Sequence, residues 1–214
     1  MTETSWAKSQ RRELCDLFEV VGPDAPTLCG NWTTRDLAAH LIVRESRPEA
    51  SAGIVLKPLA GWGERVRLQT SHRAWPDLIN KVRSGPPVFS GFALPGVDSR
   101  LNLTEYFIHL EDVRRAQPTW VPRELDPKLS EALWKTLKAR AIGFYRKARV
   151  GVRLQRTDAD GGGALAHPGS PGVVISGPAQ ELLLYTFGRK GHAKVAIDGP
   201  PEVVAKFATT NLSI

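Results

Sequence analysis

The chain has 214 residues, 42% hydrophobic and 24% charged, a composition that fits a folded globular protein and excludes a disordered or fibrous one. No run of about 18 apolar residues occurs, which predicts no membrane association, and the opening MTETSWAKSQRRELC lacks the apolar stretch of a secretion signal. The net charge of +7 is scattered in pairs such as Arg11-Arg12 and Arg146-Lys147 with no nucleic-acid-reading motif, so a solvated basic surface and no nucleic-acid partner are expected.

In chain order, Trp6, Leu14, Leu17, Phe18 and Val21 recur at helical spacing and predict an amphipathic helix over Ser5 to Val21. Cys15 lies in it and Cys29 follows it. Without a secretion signal both are expected as reduced thiols in a cytoplasmic protein, each serving as a small buried residue. GPDAPTLCGNW breaks the helix. Trp32 reads as a hydrophobic staple, and Thr33 with Asp36 as a capping box opening a second helix that carries His40. Ala50 to Gly63 shows no clear period. Glu64 to Arg83 predicts a third helix, interrupted near Pro76, and SGPPVFSGFALPGVDSR a turn-rich loop. A fourth helix covers NLTEYFIHLEDVRR. Asp126-Pro127 starts a fifth, expected to run to about Ala148.

At Val150 the period changes from helical to alternating. VGVRLQRTD and GVVISG predict strands, ADGGGALAHPGSP a glycine-rich turn, QELLLYTFGRK a helix, AKVAIDG a short strand and PPEVVAKFATTNLSI a last helix. The expected organisation is α+β, with an all-α part over 1–149 and a small α+β part over 150–214.

The chemistry concentrates on the fourth helix. At about 100° per residue, Glu105 and His109 lie about 40° apart, and Asp112 about 20° to the other side of Glu105. Leu101, Ile108 and Ala116 share that face and turn it inward. A buried carboxylate and imidazole need partners. With His40 from the second helix they form two imidazoles and one carboxylate, a set that zinc, nickel or iron accepts while leaving a coordination position open. Asp36 and Asp112 are placed to orient the histidines. His72, His167 and His192 read as surface or loop residues.

GNWTTRDLAAHLIVRE, NLTEYFIHLEDVRRA and GVVISGPAQELLLYTFGRK together resemble the mycothiol-dependent maleylpyruvate isomerase-like proteins of actinobacteria, within the wider DinB/YfiT-like group. The resemblance spans nearly the whole chain, including the Gly188-Arg189 pair. It implies an N-terminal DinB-like four-helix bundle followed by a small C-terminal α+β domain. It also implies a divalent metal, zinc above all, held by His40, Glu105 and His109, with mycothiol as thiol cofactor and a tendency to homodimerise. The expected function is a metal- and thiol-dependent isomerase or thiol S-transferase acting on a small electrophilic or anionic substrate. A metal lowers the pKa of a thiol bound to it and so supplies a thiolate. Arg114 and Arg115 are expected to hold the anionic groups of the cofactor, and Arg189, after its helix, to reach a catalytic cleft. The substrate pocket is expected in the loops Ala50–Gly63 and Ser84–Arg100. The alternative is a non-catalytic small-molecule-binding protein whose metal is structural or absent.

Overall fold

The computed structural model describes residues 3–46, 60–87, 98–159 and 162–212. These form eight helices and a four-stranded sheet, a mixed α and β chain with the sheet in its C-terminal part. Among the described residues no helix is long and apolar enough to cross a membrane. The chain divides into two compact units, Met1–Val121 and Pro122–Ile214.

The first unit contains α1 (Glu3–Val21), α2 (Thr34–Ser46), α3 (Ala60–Ser71), α4 (Trp75–Ser84) and α5 (Asp98–Arg115). α1 packs on α5 and α4, and α2 on α3 and α4. Leu14, Cys15 and Phe18 from α1 meet Leu37 and Leu41, Leu78 and Val82, and Leu110 and Val113 in one core. Each fully buried leucine there stabilises the unit by about 1.5–3 kcal/mol relative to exposure. α2 starts with the expected reciprocal cap: Thr33 N–H donates to Asp36 Oδ2 at 3.1 Å, and Asp36 N–H faces Thr33 Oγ1 at 3.4 Å.

The helix expected from Glu64 to Arg83 is two helices. Pro76, at the second position of α4, has no N–H to give back to the preceding turn, so the chain ends α3 and restarts. Arg35 clamps the break, donating to the carbonyls of Ser71 (3.1 Å) and Arg73 (2.9 Å).

The second unit contains α6 (Pro127–Phe144), β1 (Gly151–Arg156), β2 (Gly163–His167), β3 (Gly172–Gly177), α7 (Ala179–Thr186), β4 (Ala196–Asp198) and α8 (Pro201–Ala208). The strand order is β2-β1-β3-β4, with β1 and β3 parallel and both edge pairings antiparallel. α6 packs on β2 and α7, so it groups with the sheet. The division therefore falls at 121/122 rather than at the change of period near Val150. α6 starts as expected, with Asp126 accepting from Lys128 N–H at 2.8 Å. It stops at Phe144, short of Ala148, as the next residue, Tyr145, buries its ring and bonds its hydroxyl to Thr186 Oγ1 at 2.9 Å.

The glycine-rich segment expected as a turn contains β2. Ala164 and Ala166 point inward and Leu165 outward, and pairing with β1 (Leu154 opposite Ala164) overrides a weak local preference. Gly188 ends α7 at φ +87°. Its N–H reaches Tyr185 O and that of Arg189 reaches Leu184 O, both at 3.0 Å, the Schellman pattern that glycine's freedom permits.

Candidate metal centre

The site lies within the first unit and is built by α2, α5 and the turn between α1 and α2. Leu28 N–H donates to the Asp112 carbonyl at 3.1 Å, which pins that turn onto α5. Trp32 N–H closes it on Cys29 O at 3.3 Å, with Gly30 at φ +65° supplying the left-handed position. The Thr27 hydroxyl donates to Trp32 O and accepts from Cys29 N–H, fixing the turn from inside. Cys29 is thereby set beside Asp112, and Trp32 beside His40.

His40, Glu105 and His109 come together as the sequence led us to expect. Glu105 Oε1 lies 3.4 Å from His40 Nε2 and 3.2 Å from His109 Nε2, and the three potential ligand atoms fall within 4.8 Å of one another. The two imidazoles meet nearly edge to face, with centroids 5.5 Å apart at 74°. Behind them Asp112 Oδ2 lies 3.0 Å from His109 Nδ1, which fixes Nδ1 as the protonated nitrogen and leaves Nε2 aimed at Glu105. Side-chain exposure rises from 0% at Asp112 through 11% at His109 and 16% at His40 to 24% at Glu105. Solvent therefore reaches the set from the Glu105 end. Of the apolar residues on this face, Ile108 is buried and Ala116 half-buried, while the Leu101 side chain lies outside the described residues.

The electrostatics follow from this packing. Burial alone would raise the Glu105 carboxyl, but hydrogen bonds from His109 and His40 and the charge of Arg44 hold it well below the usual range. Burial pushes His40 below its ordinary value, against the pull of Glu105. His109 is also opposed by burial, yet Asp112, Cys29 and Glu105 raise it well above an ordinary imidazole. Without an ion, burial thus disfavours the charged form of His40, while its two carboxylate neighbours favour the charged form of His109. Three donor atoms of suitable chemistry, two imidazole nitrogens and one carboxylate oxygen, fit a divalent ion that takes the place of the proton on His109 Nε2.

Arg44, absent from the sequence reading, joins the site. Its Nε lies 3.3 Å from Glu105 Oε1, and one terminal N–H donates to buried Asn102 at 2.7 Å. The helical spacing Arg44–His40 was the available signal. Cys29 is a second departure, for it is more than a small buried residue: its Sγ lies 3.1 Å from Asp112 Oδ2 and 3.7 Å from His109 Nδ1. Cys15 does fill the core, where burial pushes its thiol up to about 12 and makes it a poor nucleophile. The two cysteines are not bridged. Trp32 packs against the core as expected, and its ring also lies 5.1 Å from that of His40 and under the Arg67 guanidinium at 4.9 Å. Asp36 caps α2 and pairs with Arg67 at 2.6 Å.

The expected cofactor arginines have other partners. Arg115 is fully buried, bonded to Glu111 at 2.6 Å and stacked on Trp120. Arg114 donates to the same carboxylate at 2.9 Å and to Val121 O at 3.4 Å. A cofactor would have to displace these pairs. Arg189 belongs to the second unit, where its side chain donates to Phe187 O at 2.6 Å, at the end of its own helix. The backbone cap at Gly188 gives the Gly-Arg pair a local reason. Most of the loops expected to form the substrate pocket, namely 50–59 and 88–97 of them, lies outside the described residues. No family model, curated protein or solved structure matches the chain.

Proposed function

We propose that the protein is a divalent-metal-binding, thiol-dependent enzyme of DinB-like type, in which His40, Glu105 and His109 hold the metal and mycothiol is the thiol. The observation that carries this reading is the convergence of two Nε2 atoms on one Oε1, with solvent at the Glu105 end. Two neutral imidazoles and one carboxylate leave a divalent ion with one positive charge. That residual charge favours an anionic exogenous ligand, which a thiolate is. The metal, once bound, lowers the pKa of a bound thiol and supplies a nucleophile at neutral pH.

The chain's own residues perform the remaining tasks. Asp112 holds the Nδ1 proton of His109 and keeps Nε2 on the ligand side. Trp32 shields one side of His40 from water. Arg44 sits against Glu105 and offers cationic character to an anionic substrate. The reaction is an isomerisation by addition and removal of the thiol, or an S-transfer to an electrophile.

The experiment is thiol consumption by metal-loaded protein with mycothiol and a panel of electrophilic alkenes and halides. Consumption that stops when the metal is removed is the expected result. A metal-loaded protein that consumes no thiol with any electrophile would exclude the catalytic reading and leave a binding protein.

A further inference from the structure

His109 has two ring nitrogens, and the set with His40 and Glu105 engages only Nε2. Around Nδ1 stands a second set. Cys29 Sγ, Asp112 Oδ2 and His109 Nδ1 are separated by 3.1, 3.0 and 3.7 Å. In a tetrahedral zinc-type site, with metal–N and metal–O near 2.0–2.1 Å and metal–S near 2.3 Å, ligand atoms stand roughly 3.3–3.6 Å apart. The triangle already has those edges to within a few tenths of an ångström.

Its charge suits its depth. A thiolate and a carboxylate neutralise a divalent ion completely, and Asp112 has no solvent exposure. The set around Glu105 keeps one positive charge and lies nearer solvent. Softness separates them too, because thiolate favours thiophilic ions and the imidazole–carboxylate set does not discriminate in that way.

We propose that Cys29, Asp112 and His109 Nδ1 form a thiophilic-cation site whose occupation excludes metal from the His40–Glu105–His109 set. The exclusion follows from the ring. A neutral imidazole has one lone pair in its plane, so it serves one ion at a time. On binding, Cys29 Sγ loses its proton to solvent and His109 loses the proton on Nδ1. The proton on Nε2 stays and points at Glu105. An ion that takes this site therefore turns the other set from a ligand cluster into a hydrogen bond. The geometry stands independently of the proposed reaction; only the consequence for catalysis rests on that reading.

The test is a titration of the metal-free full-length protein with Cd2+, followed by the sulfur-to-metal charge-transfer absorption and by bound cadmium. Wild type gives the band, at about one ion per chain. Cys15→Ser and His40→Ala keep it. Cys29→Ser loses it, and Asp112→Asn, which keeps the shape but not the charge, needs at least about ten times more Cd2+ to produce it. Absence of the band in wild type, or its persistence in Cys29→Ser, overturns the site. Two cadmium ions bound together in one chain overturn the exclusion. The reading of the first site fails separately, when Cys29→Ser binds no Zn2+ although wild type still gives the cadmium band.

Discussion

In the first unit, His40, His109 and Arg44 all point at a single oxygen of Glu105, at 3.4, 3.2 and 3.3 Å. In the second unit, one buried guanidinium spreads over several acceptors. Arg156 donates to both oxygens of Asp158, at 3.0 and 2.9 Å, to Glu131 and to Ser130 Oγ, while Asp158 accepts the Ala179 N–H at 3.2 Å and so holds the start of α7. Both networks are largely buried and both mix cations with carboxylates. The second is divergent, and its donors and acceptors saturate one another through separate bonds, the tightest being Arg156 to Glu131 and Ser130 Oγ to Asp158. The first is convergent and its contacts onto Oε1 are long, because three donors crowd one acceptor. A saturated network holds a fold together; a crowded one is suited to exchanging protons for an ion.

Substitutions in either network test this difference. The largest expected effect is Arg156→Ala, which removes the buried cation that joins Asp158 to Glu131 and should destabilise the second unit by about 3 kcal/mol in urea unfolding; a change below about 1 kcal/mol would mean the divergent network is ornamental. At the convergent site, Asp112→Asn added to the Cys29→Ser protein removes the charge that fixes the His109 proton, and zinc affinity by calorimetry should fall about 10–100-fold with the helical circular dichroism unchanged. Gly188→Ala places a side chain at φ +87° and should cost about 1 kcal/mol in the same unfolding assay.

The smallest effect is on pH dependence. Burial works against the Asp158 charge, yet the bonds from Arg156 and Ser130 bring its carboxyl from the ordinary 3.8 down to about 2. A folded-state value below the unfolded one means stability that is complete above pH 3.8 and lost as pH falls towards 2. After solvent screening this amounts to about 1 kcal/mol, and Asp158→Asn should flatten that limb of the acid unfolding curve.

Much of the molecule was legible from spacing. The Thr33–Asp36 cap, the Asp126-Pro127 start and the shared face of Glu105, His109 and Asp112 all follow from local rules, since a helix fixes which side chains lie together. What local rules do not carry is pairing between distant segments. β2 was hidden because glycine and alanine give no strand signal until β1 lies alongside. The grouping of α6 with the sheet is likewise a matter of packing, which periodicity does not report. Cys29 reaches His109 because the turn at Gly30 is pinned to α5 through Leu28, a contact across more than eighty residues. Arg114 and Arg115 were read by their charge as holding a cofactor's anionic groups; their pairing is set by Glu111 on the preceding turn, which draws both onto itself.

The convergent metal set is measured directly by calorimetric titration of Zn2+ into the Cys29→Ser protein, where no thiolate can contribute from that position. The expected result is binding of about one ion per chain, abolished when His40→Ala or Glu105→Ala is added to the same background. A folded Cys29→Ser protein that binds no zinc, or binds it equally well without His40, would contradict it.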